Sequence, residues 1–204
     1  MPIIINDIEQ GTPEWHALRL GNPGASNVSK IITNKGDPSK QADDYMRQLA
    51  GEIITGQCEE TFQSIHMEKG LQRENEARTL FELIYDVNIQ QVALVYKDAQ
   101  KKFHVSPDGL IGDNAGIEVK CPMMKTHVKY LLENRLPTDY FSQVQMSLYV
   151  CEREFWYFMS YCPGLLPLIL KIERDNVFIG KLEAELEKFV EKLIFIIKKL
   201  KEMA

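Results

Sequence analysis

The sequence predicts an α/β protein in which a central mixed β-sheet is flanked by helices. Segments that favour strands cluster in the middle of the chain, and segments with helical periodicity come before and after them. The chain has 204 residues, of which 45% are hydrophobic, so it can form a substantial core. This length favours a single domain, residues 1–204, and no linker or repeat interrupts it.

The helices are expected mainly in the first and last parts of the chain. Near the N-terminus, Ser26 is the expected N-cap of a short helix through Ile32, because its hydroxyl can accept a hydrogen bond from a free amide of the first turn. Further helices are predicted at residues 41–55, 65–85, 126–134, 140–152 and 177–203. Strands are predicted at residues 89–96, 102–105, 116–120, 154–161 and 166–172.

Charge and composition exclude several classes of protein. The sequence has neither a secretory signal nor an apolar run of membrane-spanning length, so we expect a soluble, cytoplasmic protein with no membrane partner. The four cysteines and four histidines lack the spacing of a zinc or iron–sulfur site. The net charge of −5 argues mildly against a nucleic-acid partner, because DNA affinity normally comes from Lys and Arg; basic residues concentrated in one groove would remove this objection.

The most informative segments are residues 106–110, with the sequence SPDGL, and residues 116–122, with the sequence GIEVKCP. Side chains alternate along a strand, so Glu118 and Lys120 point the same way. If Asp108 ends a neighbouring strand, two carboxylates and an ammonium group converge. Such carboxylates suit Mg²⁺, and the lysine can neutralise charge that develops on a phosphate. These groups could hydrolyse a phosphodiester, although the same segments are also typical of a turn and of a solvated strand face.

A carboxylate in the 65–85 helix is also unusual. Glu74 falls within the apolar face that Ala77 and Phe81 define at 100° per residue. Burial of an unpaired carboxylate is costly, so Glu74 needs a partner. Either Lys120 or a metal-bound water would serve, and the alternative is an ion pair with Arg73 or Arg78 at the rim.

Two further groups of polar residues have open interpretations. Tyr140, Gln143 and Ser147 form a polar stripe on a largely apolar helix, which either satisfies buried backbone groups or lets Gln143 orient a water or a phosphate oxygen. Arg19 precedes Ser26 closely enough to form a phosphate pocket from a guanidinium group, backbone amides and a hydroxyl, but it could equally make a surface ion pair.

Together these segments resemble the lambda exonuclease (YqaJ-type viral recombinase) family of alkaline exonucleases, a branch of the PD-(D/E)xK nucleases. The likeness covers nearly the whole chain. It rests on residues 14–21 with 25–26, 70 with 74–78, 106–110, 118–122, 143–145 and 173–175. The resemblance implies a restriction-endonuclease-like core with helical N- and C-terminal additions.

The resemblance also implies a role for each candidate residue in Mg²⁺-dependent hydrolysis, with two ions and with Mn²⁺ as a substitute. Asp108 and Glu118 would be the metal ligands, together with the carbonyl oxygen of Val119. Lys120 would position or activate the attacking water and stabilise the transition state.

Other residues would assist at the same site or bind DNA. Glu74 would hold a metal-site water or the second ion, Gln143 would assist, and Tyr140 would lie beside them. The resemblance further implies that Arg19 and Ser26 anchor a 5′-phosphate.

Met67 falls where the family places an apolar wedge that splits the terminal base pair, although it could simply be a core or loop methionine. By the same resemblance, the protein would be a homotrimeric ring that threads double-stranded DNA ends. It would digest one strand from its 5′ end and leave a 3′ tail for a single-strand-annealing partner.

Three alternatives remain open from the sequence. The chain could be a PD-(D/E)xK endonuclease, or a related nuclease with an iron–sulfur cluster, which would need a cysteine group near the C-terminus. It could also be a non-catalytic scaffold that binds DNA ends for recombination.

Overall fold

The computed structural model describes residues 1–58 and 65–203, with side chains from residue 72 onward in the helix that begins at Ile65. Within these residues, the larger sheet has five strands in the order β2-β5-β6-β7-β8. They are β2 (Ile89–Gln90), β5 (Gly109–Ile111), β6 (Ala115–Lys120), β7 (Phe155–Ser160) and β8 (Leu168–Glu173). Strands β6 and β7 are parallel and the other neighbours are antiparallel, so the sheet is mixed, as predicted.

A smaller antiparallel sheet lies beside it, with three strands in the described part of the chain. These are β1 (Ile3–Ile5), β3 (Leu94–Tyr96) and β4 (His104–Val105), in the order β1-β3-β4. Six α-helices are described: α1 (Pro13–Arg19), α2 (Ala42–Thr55), α3 (Ile65–Tyr85), α4 (Met124–Glu133), α5 (Phe141–Cys151) and α6 (Asn176–Glu202). Two short 3₁₀ helices span Ala25–Lys30 and Thr138–Tyr140.

Helices cover both faces of strand β6. On one face, Ile117 and Val119 share an apolar cluster with Ala77 and Phe81 of α3. The opposite face carries Glu118 and Lys120 and lies toward α5, which belongs to the larger core with α2 and α6. The period-two alternation of β6 therefore separates an apolar face from a charged one.

Close packing fixes the start of β6. Gly116 lies opposite Trp156 in the parallel pairing, and the Trp156 side chain is fully buried. A Cβ atom at position 116 would fall 2.3 Å from two atoms of the Trp156 ring, so only glycine fits without a shift of the strand or the ring.

Four details of the sequence-based prediction were wrong. The single strand expected at 89–96 is two strands in different sheets, because the chain leaves β2 and Ala93 then donates its amide to the carbonyl of Ile5 in β1. Strand β1 itself lies in a part expected to be mostly helical. Strand β5 was missed among turn-forming residues, and Asp108 precedes β5 rather than ending a strand.

The N-cap assigned to Ser26 was also wrong. Gly24 is the residue that precedes the 3₁₀ helix, and no side chain makes a capping hydrogen bond there. Ser26 is therefore the second residue of this helix, and its side chain is exposed. Separately, no described helix combines the length and the hydropathy needed to cross a membrane.

Candidate active site

Asp108 lies just before β5, beside Glu118 on the adjacent strand β6. The β5–β6 pairing ends at Gly109 and Ile117, so residues 108 and 118 are the next positions along these two segments of the chain. The Oδ2 atom of Asp108 accepts a hydrogen bond of 2.6 Å from the backbone N–H of Val119. Glu118 is only 3% exposed. The two carboxylates therefore converge as the sequence predicts.

Lys120 and Gln143 both contact the carboxylate of Glu118. The Nζ atom of Lys120 lies 2.5 Å from Glu118 Oε1, and Gln143 Nε2 donates a hydrogen bond of 2.6 Å to the same oxygen. Lys120 Nζ also lies 5.3 Å from the centre of the Tyr140 ring, within the range of a cation–π contact. The polar stripe, which begins at Tyr140 in the preceding 3₁₀ helix and continues on α5, thus faces the charged side of β6. Its third member, Ser147, donates to the carbonyl of Gln143 at 3.0 Å.

The backbone N–H and C=O groups of Val119 also point toward Asp108. The carbonyl of Lys120 accepts a hydrogen bond from the amide of Tyr161, just past the end of β7, so Lys120 directs its backbone groups toward β7. Backbone direction alternates along a strand, and Val119 therefore directs its N–H and C=O toward the β5 side. Its N–H binds Asp108, and its carbonyl oxygen lies on the side where β5 pairing has already stopped.

Negative charge accumulates at this point. Burial raises the pKa of Asp108 well above its usual value, and the nearby charges of Glu118 and Glu74 raise it further. Burial alone would lower the pKa of Lys120, but Glu118 and Asp108 outweigh that effect and raise it. A bound cation would relieve the repulsion between the carboxylates.

The donor set, made only of oxygen atoms, suits a hard cation such as Mg²⁺. No three His, Cys, Asp or Glu side chains come close enough to hold an ion within the residues that the structure covers. Mg²⁺ normally needs only one or two protein carboxylates because it keeps several waters. Asp108, Glu118 and the Val119 carbonyl are the groups that could hold it. The four cysteines of the described residues form no disulfide with one another.

Glu74 reaches the site from the opposite layer of the fold. Its Oε1 atom lies 2.5 Å from Nη1 of Arg78, one turn later in α3. The ion pair considered as the alternative therefore forms, but Arg78 is 8% exposed and not at a rim. The same Nη1 is 3.5 Å from the carbonyl oxygen of Asp108, and Nη2 contacts Asn75. Arg78 thus connects Glu74 to the backbone of a candidate metal ligand.

A cavity of about 180 Å³ joins the carboxylates to the N-terminal segment. Its walls include Asp108, Glu118 and Lys120 as well as Arg19 and Ser26. The other lining residues are Gln10, Trp15, Ala25, His104, Ser106, Gln143 and Ser147. A second cavity, of about 410 Å³, lies on the α3 side and includes Glu74, Arg78 and Asp108. Asp108 therefore borders both.

Arg19 is held by an aromatic ring. Its guanidinium carbon lies 3.9 Å from the centre of the Trp15 ring, and Trp15 Nε1 donates to the carbonyl of Ala93 at 2.9 Å. Burial lowers the pKa of Arg19. Among the described residues Arg19 forms no salt bridge, so the surface ion pair considered as the alternative is not observed there. A partly buried guanidinium with no carboxylate partner among the described residues is suited to bind an anion.

Several lining residues were not identified from the sequence. Gln10 donates to the carbonyls of Val92 and Pro107, at 2.8 and 3.0 Å, and so positions the loop that leads to Asp108. Gln10 and His104 belong to no chemical motif, and only their three-dimensional position reveals them. The side chain of Met67 lies outside the described residues, so the wedge remains a prediction.

The fold and its charged edge define the class of protein. An acidic residue before one strand and a Glu-x-Lys pair on the next, in a mixed sheet covered by helices, form the core of PD-(D/E)xK nucleases. Residues 14–154, more than half of the chain, match the sequence model of the YqaJ-like viral recombinase domain. The chain belongs to this family.

Solved structures agree with this assignment. The structure is similar to that of an alkaline exonuclease, LHK-Exo, from Laribacter hongkongensis, with a TM-score of 0.85, 30% sequence identity and coverage of 94% of this chain and 97% of that chain. LHK-Exo in complex with dAMP matches with the same values. A phage related exonuclease from Haemophilus somnus 129PT has a TM-score of 0.68 and 15% identity, over 90% of this chain and 96% of that one, and supports the fold alone. A comparison with curated protein sequences found no match. Family and fold together indicate a nuclease that acts on DNA in phage-type recombination.

Proposed function

We propose that the protein is an Mg²⁺-dependent exonuclease that digests one strand of linear double-stranded DNA from its 5′ end and leaves a 3′ single-stranded tail. One observation carries this proposal. Asp108, Glu118 and Lys120 share a cavity of about 180 Å³ with Arg19 and Ser26, so a group that cuts a phosphodiester adjoins a group suited to hold a terminal phosphate. A terminal anchor beside the cutting site favours an exonuclease over an endonuclease.

Asp108, Glu118 and the carbonyl of Val119 are the proposed metal ligands, and we propose two ions, with Mn²⁺ able to replace Mg²⁺. When bound, the ions would supply Lewis-acid activation of water and neutralisation of charge on the phosphate. The protein itself holds the two carboxylates in position. The Val119 amide fixes Asp108, and Gln143 fixes Glu118, so both carboxylates are held before substrate arrives.

Lys120 supplies positive charge at the scissile phosphate. Its ammonium group lies beside Glu118 and against the face of Tyr140, which leaves it directed along the charged side of β6. There it can donate hydrogen bonds to a phosphate oxygen or orient the attacking water, and stabilise the charge that develops in the transition state. Glu74, held by Arg78, would accept a hydrogen bond from a water in the second cavity.

The assembly we propose is a homotrimeric ring around the DNA, which passes its 3′-tailed product to a single-strand-annealing partner. Enclosure explains how a chain with a net charge of −5 can keep hold of DNA. The ring would replace part of the affinity that Lys and Arg normally provide. Sedimentation analysis with and without duplex DNA would measure this state.

The test is digestion of a linear duplex in which one strand carries a 5′-phosphate and each strand carries a different label. We expect stepwise loss of the phosphorylated strand in Mg²⁺ and no loss in excess EDTA. Asp108→Ala and Lys120→Ala should abolish the reaction. Asp113→Ala and Lys129→Ala are matched controls, because both residues are exposed and neither lines the cavity.

The possible outcomes separate the alternatives. Cleavage of a covalently closed circular duplex would indicate an endonuclease. Binding of DNA ends with no hydrolysis in Mg²⁺ or Mn²⁺ would indicate a non-catalytic scaffold. Loss of the 3′ end first would contradict the proposed polarity.

A further inference from the structure

A buried histidine at the cavity has a ring that no described residue hydrogen-bonds. His104, in β4, is 2% exposed, and neither Nδ1 nor Nε2 makes a hydrogen bond to any described residue. Its backbone is well fixed, since it pairs with Tyr96 and its amide donates to the carbonyl of Pro23 at 3.2 Å. The fold therefore defines the position of the ring, but no described residue hydrogen-bonds its two nitrogen atoms.

Another buried histidine shows the usual arrangement. His127 is fully buried, and its two ring nitrogens contact Ser160 Oγ at 2.7 Å and the carbonyl oxygen of Leu166 at 3.0 Å. A buried ring nitrogen without a partner costs free energy because it gives up hydrogen bonds to water. His104 bears this cost with respect to the described residues, whereas His127 does not, so the ring of His104 is available to a further partner.

The charge state of His104 limits what that partner can be. Burial, and secondarily the charge of Arg19, lowers the pKa of His104 to about 3. The ring is therefore neutral at physiological pH and offers one N–H donor and one acceptor nitrogen. Arg19 cannot satisfy the ring N–H, since a guanidinium carries only donors, so this N–H can donate to an acceptor that no described residue supplies.

The ring borders the cavity that contains the candidate anchor. His104 lines it together with Arg19, Ser26 and Ser106, and it also lines a neighbouring cavity of about 350 Å³ that Arg19 shares. The ring packs against Gly24, where an added Cβ atom would fall 2.9 Å from Nε2. A small residue at position 24 thus leaves room for the imidazole beside Arg19.

We propose that His104 is a binding residue for the terminal 5′-phosphate, to which it donates a hydrogen bond beside Arg19. This inference depends on the proposed role of Arg19 and Ser26 as the phosphate anchor. A phosphate oxygen is an anionic acceptor, and hydrogen bonds to charged groups are stronger than neutral ones. A neutral donor also adds to the binding of the phosphate without placing a second positive charge against Arg19.

The test compares kcat/KM on two linear duplexes that differ only in a 5′-phosphate or a 5′-hydroxyl. The variants are His104→Leu, which removes both nitrogens, and His104→Gln, which keeps an N–H donor. We expect His104→Leu to lower kcat/KM on the phosphorylated duplex about tenfold or more and to change the hydroxyl duplex less than about twofold. His104→Gln should recover part of the loss.

Failure of this inference and failure of the proposed anchor give different results. If the unaltered protein does not distinguish the two ends, the anchor is wrong and His104 has no phosphate to bind. If the protein distinguishes them and Arg19→Ala removes the preference, but His104→Leu keeps it in full, only the role of His104 is wrong. Equal losses on both ends would indicate a merely structural histidine.

A measurement on the unaltered protein covers the case in which His104→Leu fails to fold. The chain has four histidines, so their ring signals can be assigned by nuclear magnetic resonance from single substitutions. A short 5′-phosphorylated duplex, added in EDTA so that it is not cut, should shift the His104 N–H signal downfield. The hydroxyl duplex should not. Unchanged His104 signals with the bound phosphorylated duplex would overturn the inference.

Discussion

Asp108 accepts a hydrogen bond of 2.6 Å from the backbone amide of Val119, so the strand that carries Glu118 also fixes Asp108. The bond uses one carboxylate oxygen and leaves Oδ1 without a hydrogen bond to any described residue. Glu118 likewise uses Oε1 for Lys120 and Gln143. Each acidic residue is therefore positioned by one oxygen, and its other oxygen makes no hydrogen bond to a described residue.

Asp108→Asn should separate catalysis from stability. An asparagine can still accept the hydrogen bond from Val119, but it removes a charge that Glu118 and Glu74 repel. We expect the rate of DNA cleavage to fall by orders of magnitude, while the melting temperature in EDTA stays the same or rises. Addition of Mg²⁺ should raise the melting temperature of the unaltered protein and not that of Asp108→Asn. An equal rise in both proteins would place the ion elsewhere.

Gln143 and Gln145 provide a matched pair on α5. Gln143 donates to Glu118, so Gln143→Ala should lower activity about 10- to 100-fold and shift the rate curve to higher Mg²⁺ concentration. Gln145 instead bonds the backbone of Glu173 and Asp175, and Gln145→Ala should destabilise the fold by about 1–3 kcal/mol. Its Mg²⁺ dependence should not change.

Two measurements distinguish these variants: cleavage rate against Mg²⁺ concentration, and urea unfolding. If Gln143→Ala lost stability but kept its Mg²⁺ dependence, Gln143 would be a structural residue.

Arg19→Ala should remove the preference for phosphorylated ends. The guanidinium group stacks on Trp15 and lines the cavity, so its loss should lower kcat/KM on a 5′-phosphorylated duplex by about tenfold or more. A 5′-hydroxyl duplex should be little affected. Arg47 is a suitable control, since its side chain is 67% exposed and pairs with Asp44 on the surface. An equal effect of Arg47→Ala would mean that general charge, and not an anchor, determines binding.

The stability of the protein should depend on pH through His104. The folded pKa is about 3 and the usual value is 6.5. Above pH 6.5 the ring is neutral in both states. Below it, the unfolded chain binds a proton that the folded protein does not, so this contribution to stability falls as pH falls toward 3, by up to about 1.4 kcal/mol per pH unit.

His104→Gln isolates this contribution from the other titrating groups. Urea unfolding between pH 8 and pH 5 should show a shallower loss of stability for the variant than for the unaltered protein. Parallel curves would mean that His104 is not desolvated in the folded state.

Much of the fold could be predicted because its signals are local. The 65–85 helix, the strand that carries Glu118 and the amphipathic C-terminal helix follow from hydrophobic periodicity, and each forms within a residue or two of its predicted bounds. Strands β1, β2 and β5 have two or three residues each. Such short strands are defined by pairing with distant segments, which periodicity does not record.

The candidate site likewise contains some residues that local sequence patterns predict and others that they do not. Asp108, Glu118 and Lys120 follow from strand alternation and the chemistry of carboxylates. The partner of Glu74 could not be chosen from the sequence, since Arg73 and Arg78 both lie within one turn. The proximity of Arg19 and His104 depends on how the segment before β2 meets β4, and no local pattern encodes that.

The packing of Gly116 beneath Trp156 has a genetic consequence. Gly116 lies two residues before Glu118 on the same face of β6, so a side chain there would force either the strand or the Trp156 ring to move. An alanine at this position would alter no charged group, yet it would strain the strand that carries Glu118 and Lys120. A loss-of-function allele of this gene can therefore lie at an uncharged position, and we expect such an allele to be temperature-sensitive.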